Sequence, residues 1–220
     1  MTVLLLRCEG PMQSWGSRSR FGTRDTERAP TKSGVVGLLA AAAGRGRAEP
    51  LDDLIAFRMG VRLDRPGVRE VDFQTALNVA KSDGGTGDTA MSWRHYLADA
   101  SFLVALEAEQ PWLDRAIGWL RAPIWSPYLG RRGYVPSVPL LDADPLFQGR
   151  LEDALLSRWP KRSHGLHAPE RLEVILECEP GQDGDPRHDV PLSFRTDDRR
   201  YDVRHVRSVW LDAPTEATCS

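Results

Sequence analysis

The sequence predicts an α+β fold, and three observations support this prediction. Segments with strand-like apolar patterns occur at residues 3–6, 57–63 and 101–106. Helix-like segments fall at residues 35–43 and from Pro111 onward. Two alternating segments, at about 71–79 and 91–97, flank a loop rich in Gly and Asp, which is typical of a β-hairpin.

The order of these elements narrows the fold. Without the hairpin, the chain reads strand, helix, strand, strand, helix, and we expect a returning strand near residues 138–141. This is the βαββαβ order of ferredoxin-like domains, which RNA-recognition modules share with many other folds. We therefore predict a ferredoxin-like, RRM-like domain over residues 1–145, with a hairpin inserted at about 71–98. Residues 146–220 are predicted to form a small C-terminal extension.

Local signals place the ends of the elements. Ser33 is predicted to cap the first helix, and Gly44 to end it. A second short helix is expected from Pro50 to residue 55. In the C-terminal part, we expect a helix at 151–159, strands at 172–178 and 201–210, and an acidic turn at 182–189.

The composition is that of a folded protein of the reducing cytoplasm. The chain has 220 residues, of which 41% are hydrophobic and 27% are charged. Its three cysteines are scattered and odd in number, which argues against a disulfide framework or a zinc site. The longest apolar run, residues 35–43, is far shorter than the ~20 residues that a membrane span needs. We predict cytoplasmic localisation, no membrane association and no cofactor.

Positive charge is concentrated near the amino end, although the formal net charge is −2. Residues 1–47 hold eight basic and three acidic residues and so carry +5. The remaining 21 basic and 28 acidic residues carry −7. Because screening acts over roughly 8 Å at physiological salt, a bound polyanion responds to the local patch rather than to the sum. A solvated basic surface explains the same charges without any ligand.

Two segments have the chemistry of a phosphate-binding surface. Residues 30–34 (Pro-Thr-Lys-Ser-Gly) lead into a helix, whose free N–H groups favour an anion. A nucleotide-binding P-loop is excluded because the glycine follows Ser33 instead of preceding Lys32. Residues 122–139 contain four prolines and the run Pro-Tyr-Leu-Gly-Arg-Arg, which predicts a semi-rigid loop that presents arginines.

Several blocks of the sequence together resemble the type I-E branch of the Cas-five family, whose members are subunits of the CRISPR surveillance complex Cascade. The blocks are residues 10–16 (Gly-Pro-Met-Gln-Ser-Trp-Gly), 22–24 (Gly-Thr-Arg), 30–39 (Pro-Thr-Lys-Ser-Gly-Val-Val-Gly-Leu-Leu), 93–102 (Trp-Arg-His-Tyr-Leu-Ala-Asp-Ala-Ser-Phe) and 127–132 (Pro-Tyr-Leu-Gly-Arg-Arg). The resemblance covers roughly the first 145 residues. The last 75 residues resemble the family only loosely.

The resemblance implies a domain of the repeat-associated RNA-binding type with a hairpin thumb. It also implies that the chain holds the 5′ handle of the CRISPR RNA, caps the filament of CasC backbone subunits and contacts the large subunit CasA. In type I-E systems a different subunit, CasE, cuts the RNA, so this chain is expected to be non-catalytic. The tip of the thumb would be formed by Lys81, Ser82, Asp83, Gly84 and Gly85.

Single-stranded RNA is held by cationic contacts to phosphates and by flat surfaces for bases. The residues predicted to bind RNA are Gln13, Trp15, Arg20, Arg24, Arg28, Thr31, Lys32, Ser33, Arg94, Tyr128, Arg131 and Arg132. Among these, Arg24, Arg28 and Arg131 are the first candidates for phosphate contacts. Trp93 is expected to pack within the hairpin.

Two alternative functions remain open from the sequence. Some Cas-five proteins of other subtypes cleave CRISPR RNA without a metal, which requires an acid and a base. His95 faces the apolar side of its strand by parity, and His164 and His167 lack a third partner, so neither supplies a convincing pair. The glycine-rich loop found near the C-terminus of many related nucleases is also absent. The second alternative is a protein–protein adaptor with an incidental basic patch.

Overall fold

The computed structural model describes residues 1–17, 22–79, 85, 87, 89–158, 160 and 169–213. The elements in chain order are β1 (Thr2–Glu9), β2 (Met12–Gln13), β3 (Thr23–Arg24), α1 (Lys32–Ala42), β4 (Arg58–Arg65), β5 (Val68–Ala76), β6 (Ala90–Ala98), β7 (Ser101–Ala108), α2 (Gln110–Arg121), β8 (Leu146–Gln148), α3 (Leu151–Leu156), β9 (Arg171–Cys178), β10 (Asp185–Phe194) and β11 (Arg199–Asp212).

Seven of these strands form one sheet in the order β10-β11-β9-β4-β7-β1-β8, with antiparallel neighbours throughout. Within it, β1, α1, β4, β7, α2 and β8 follow the order βαββαβ, and their strands lie side by side as β4-β7-β1-β8. The C-terminal strands continue the same sheet, because β9 pairs with β4. Strands β10 and β11 then extend it beyond β9.

The sheet is covered on both faces, which explains why β1 is a continuous apolar run. Leu4 and Leu6 pack with α1 and α2 in the larger core cluster. Val3 and Leu5 point the other way and pack with α3 and the outer strands. Strands that are buried on both faces lack the alternating pattern of a half-exposed strand.

A smaller sheet stands beside the main one. Strand β6 pairs with β2 and, in parallel, with β3. On it, β5 and β6 pair antiparallel along nine positions, from Val68 opposite Ala98 to Ala76 opposite Ala90. Phe73 of β5 lies opposite Trp93 of β6. The centroids of their rings are 5.3 Å apart, and the two residues are 52% and 44% exposed. Trp93 thus packs within the hairpin and remains accessible.

Several predicted element ends are wrong. The cap of α1 is Thr31, whose Oγ1 accepts a hydrogen bond from the N–H of Gly34 at 3.2 Å, and not Ser33. Residues 52–54 form a turn, because the backbone bonds at Leu51 close only single turns. The strand that returns to β1 lies at 146–148 instead of 138–141. The expected acidic turn at 182–189 is partly strand, since β10 begins at Asp185.

Replacing Gly34 with alanine should destabilise the fold. The added Cβ would lie 2.6 Å from Cε3 of Trp15, which is fully buried. A packed core cannot yield to this overlap without displacing side chains, so we expect a loss of about 1–3 kcal/mol in the free energy of unfolding. Urea unfolding followed by circular dichroism would measure it.

Gly37→Ala is the matched control on the same helix. Its Cβ would approach no atom closer than 3.9 Å, at Phe194. Alanine favours helix over glycine by about 0.8–1 kcal/mol. This variant should therefore be at least as stable as the parent, and equal losses in both variants would contradict the packing argument.

A candidate RNA-binding groove

An open groove of about 800 Å³ runs over the outer face of α1. Its floor is made of small residues of the helix: Gly34, Gly37, Ala40 and Ala41. Because these side chains are short, a ligand can approach the helix backbone closely. The groove is therefore an open surface depression and not an enclosed cavity.

The proline-rich loop that follows α2 forms one wall. The N–H groups of Ile124 and Trp125 donate to the carbonyls of Ala42 and Ala41, at 2.9 and 3.2 Å, so the loop docks on the end of α1. At Gly130, φ is +87° and a Cβ would lie 1.6 Å from the carbonyl oxygen of Ser14. Only glycine allows the loop to approach the first strands this closely. Tyr128 and Arg132 then line the groove.

Two further elements complete the groove. Arg45, Gly46 and Arg47 line it just beyond the end of α1. The β10–β11 hairpin contributes Phe194, Arg199 and Tyr201 to the lining. The groove is thus assembled from segments that are far apart in sequence.

The electrostatic character of the groove is positive. Four arginines line it, at positions 45, 47, 132 and 199, and no Asp or Glu is among its described lining residues. Arg45 is held by Asp53, to which both of its terminal nitrogens donate. Arg47, Arg132 and Arg199 form no ion pair with any residue that the structure describes. Three guanidinium groups therefore face the groove without a fixed counter-charge.

Five of the residues predicted to bind RNA are buried within the protein: Gln13, Trp15, Thr31, Lys32 and Ser33. Gln13 is fully buried: its Nε2 donates to the carbonyls of Cys8 and Ala100 at 3.0 and 2.8 Å. Its Oε1 accepts a hydrogen bond from Nε1 of Trp15 at 3.1 Å. Trp15 has no exposed surface on which a base would stack. These two side chains hold the first strands and α1 together.

The start of α1 does not offer the expected anion site, because the protein supplies its own carboxylate there. The N–H of Lys32 donates to Oδ2 of Asp189 at 2.9 Å. Nζ of Lys32 donates to the carbonyl of Phe57 at 2.6 Å and to Glu177 at 3.0 Å. Burial lowers the pKa of Lys32, and the charge of Glu177 opposes this only in part. Lys32 and the capping residue Thr31 are thus structural.

Two of the predicted phosphate contacts are occupied by other groups. Arg28 forms a bidentate pair with Glu173, at 2.6 and 2.5 Å, and these hydrogen bonds hold the pKa of Glu173 below its ordinary value. Arg131 donates to the carbonyls of Arg24 and His95, at 3.2 and 2.9 Å. It therefore fastens the proline-rich loop to the small sheet. In this conformation both guanidinium groups are engaged with other groups of the protein.

The remaining predicted residues fall into three places. Ser33, Tyr128 and Arg132 line the groove. Arg24 and Arg94 lie opposite each other in the pairing of β3 with β6, outside the groove lining. Arg20 and the predicted thumb-tip residues Lys81, Ser82, Asp83 and Gly84 lie outside the described residues, and Gly85 is exposed.

Sequence reasoning missed the groove residues Arg47, Arg199 and Tyr201. Arg47 belongs to the basic amino-terminal segment and follows the stop signal Gly44, so its position at the helix end was available from the sequence. Arg199 and Tyr201 carried no comparable signal, because the strand pairing that brings them to α1 is long-range.

None of the described histidines lines the groove. His95 is half-buried on β6, and its Nδ1 is buried without a hydrogen-bond partner. His164 and His167 lie outside the described residues. Within the described ranges, no cluster of three or more metal-ligating side chains occurs. No helix among them has both the length and the hydropathy needed to cross a bilayer.

Comparison with known proteins identifies the family. The model of the CRISPR-associated protein family Cas5 matches residues 3–207, nearly the whole chain. The chain belongs to the Cas5 family. The Cascade subunit CasD of Escherichia coli (strain K12) is 38% identical over 167 residues, which cover 67% of this chain and 70% of CasD.

Two solved structures extend this likeness to the whole Cas5 fold. A chain of a CRISPR RNA-guided surveillance complex matches with a TM-score of 0.82 and 39% identity, covering 96% of this chain and 91% of that one. A crystal structure of a Cas protein matches with a TM-score of 0.76 and 42% identity, covering 96% and 95%. Both matches include the C-terminal strands, for which the sequence alone gave only a loose resemblance.

The buried pair that joins Asp189 to Arg204 should be essential for stability. Arg204 donates to Asp189 at 2.6 and 2.8 Å, and the two side chains are 5% and 2% exposed. Asp189→Ala would leave the Arg204 charge and the N–H of Lys32 without this partner. We expect a loss of about 3–5 kcal/mol in the free energy of unfolding, measured by urea titration.

Asp197→Ala is the control, because Asp197 pairs with Arg195 at 2.9 Å but is 71% exposed. Surface pairs contribute about 0–1 kcal/mol, so this variant should remain close to the parent. Similar values for the two variants would show that the buried pair has no special role.

Proposed function

We propose that this Cas5 protein is a Cascade subunit that binds the 5′ handle of the CRISPR RNA in the groove over α1. The observation that carries the proposal is the groove lining: three arginines without fixed counter-charges, several aromatic rings and no described carboxylate. Cationic grooves with aromatic faces suit an unpaired ribose-phosphate strand. The similarity to CasD and to a chain of an RNA-guided complex supports the same conclusion.

The strand order supports the proposal of a ferredoxin-like domain with a hairpin thumb. The strand order β4-β7-β1-β8 with two crossing helices is the arrangement of a ferredoxin-like domain. We propose that the β5–β6 hairpin is its thumb, which would seat against RNA or a neighbouring subunit through the exposed Phe73 and Trp93 rings. The proposed partners are the CasC backbone subunit, whose filament this chain would cap, and the CasA large subunit, in the cytoplasm.

We propose that the chain is non-catalytic. Metal-independent cleavage of RNA needs a base near the ribose 2′-OH and an acid near the leaving oxygen. Tyr128 and Tyr201 are the described titratable groups of the groove besides its arginines. The groove is therefore suited to holding RNA, whereas the described part of it offers no histidine or carboxylate to activate the 2′-OH.

Reversing charge in the groove should weaken RNA binding. Arg132→Glu and Arg47→Glu each remove a charge-assisted contact worth about 1.5–3 kcal/mol, which corresponds to roughly 10- to 150-fold in Kd. Each lost phosphate contact should also flatten the salt dependence of log Kd by about 0.7. Fluorescence anisotropy with labelled RNA of the 5′-handle sequence would measure both.

Arg150→Glu is the matched control. Arg150 lies beside α3 on the other face of the sheet and pairs only with the exposed Asp153 among the described residues. Its reversal should leave Kd within about twofold, a change of roughly 0.4 kcal/mol. If Arg132→Glu and Arg47→Glu bind RNA as tightly as Arg150→Glu does, the groove is not the RNA site.

Incubation with labelled repeat RNA tests catalysis. The purified protein should retain the RNA intact in the presence of a chelator, and the CRISPR RNA should co-purify at full length. A defined product cut within the repeat would contradict the non-catalytic assignment and favour the nuclease alternative. Co-purification of protein partners without RNA would favour the adaptor alternative.

A further inference from the structure

The C-terminal hairpin of β10 and β11 reaches the groove from a part of the chain with no recognised binding motif. Three of its residues line the groove: Phe194 at the end of β10, and Arg199 and Tyr201 at the start of β11. Arg199 is paired with Phe194 across the hairpin, and Tyr201 with Pro191. A cation and an aromatic ring thus stand close together beside the floor of α1.

The hairpin is held firmly in this position. Phe194 is partly buried against the main core, and its ring lies 3.9 Å from where a Cβ of Gly37 would be. Asp189 of β10 and Arg204 of β11 anchor the hairpin to the start of α1 through the buried pair. The wall is therefore preorganised, which reduces the entropic cost of binding a strand.

The charges around the hairpin turn are not equivalent. Arg195 pairs with Asp197 at 2.9 Å, and Arg200 pairs with Asp198 at 3.0 Å. Arg199 forms no ion pair with any described residue and is the one arginine of these three that lines the groove. Arg199 is therefore the arginine of this turn that can bind an anion in the groove.

We propose that the β10–β11 hairpin is part of the RNA-binding surface, with Arg199 binding a backbone phosphate and Tyr201 offering its ring to an unpaired base. This inference rests on the proposed binding of RNA in the groove. Guanidinium groups bind phosphate through paired N–H donors, and aromatic rings stack on any base irrespective of sequence. The strand is then held between the hairpin and the proline-rich loop that carries Tyr128 and Arg132.

The two residues should give different signatures in the anisotropy assay. Arg199→Glu and Arg199→Ala should weaken binding, by roughly 10- to 150-fold for the reversal, and flatten the salt slope by about 0.7. Tyr201→Ala should weaken binding by roughly 5- to 150-fold without changing the slope, because stacking releases no counterions. Tyr201→Phe should retain the parent affinity, since it keeps the ring.

Arg200→Glu is the control, because it makes the same charge change one residue away, outside the groove lining. It should bind like the parent protein. Thermal unfolding would establish that each variant is folded, and Arg199→Ala gives a second reading of the site if the reversal unfolds the hairpin.

The outcomes separate this inference from the proposed function. If Arg132→Glu loses RNA while Arg199→Ala, Arg199→Glu and Tyr201→Ala bind like Arg200→Glu, the hairpin inference is overturned and the groove remains the RNA site. If Arg132→Glu and Arg47→Glu also bind like the parent, the groove assignment fails, and the hairpin inference fails with it. Equal losses of RNA affinity in Arg199→Glu and Arg200→Glu would show that the effect comes from the net charge of the hairpin. That result would also overturn the proposed contact at Arg199.

Discussion

The hydrogen-bonded ion pair between Asp189 and Arg204 is the contact on which the groove depends. It places a carboxylate at the start of α1, where the N–H of Lys32 would otherwise lack a partner. The same carboxylate fixes β10 and β11 relative to the helix, and Glu177 joins the cluster through Lys32 and Arg204. A buried charge is costly unless it is paired and hydrogen-bonded, so each of these groups needs its partners to remain buried. The same cluster of charged groups therefore positions both α1, which forms the floor of the groove, and the β10–β11 hairpin, which forms one of its walls.

The motif after β1 is architectural in this Cas5 protein. Gln13 links the end of β1 to the residue before β7, and Trp15 fills the space that Gly34 leaves beside it. This packing keeps α1 close to the sheet, and the small residues of the helix line the groove. The residues that carry the family resemblance therefore include some that shape the groove without reaching its surface.

The charge distribution is uneven because the acids are used inside the protein. Glu173, Glu177 and Asp189 neutralise Arg28, Lys32 and Arg204 in fixed pairs. Among the described residues, the groove arginines other than Arg45 have no such partners, so positive charge is concentrated beside α1 although the chain as a whole carries −2. Local fields in a groove act on a polyanion more strongly than the net charge does.

The sequence by itself determined the periodic elements, because hydrophobic spacing and capping are local: α2 with its buried stripe and the paired strands β5 and β6 could be predicted from a few residues each. It also pointed to Ser33, Tyr128 and Arg132, which line the groove in the structure. Only the tertiary structure decided that Arg28 and Lys32 are neutralised by acids about 145 residues away, and that Arg199 and Tyr201 stand beside α1. These outcomes depend on strand pairing and burial between distant segments, for which local spacing carries no information.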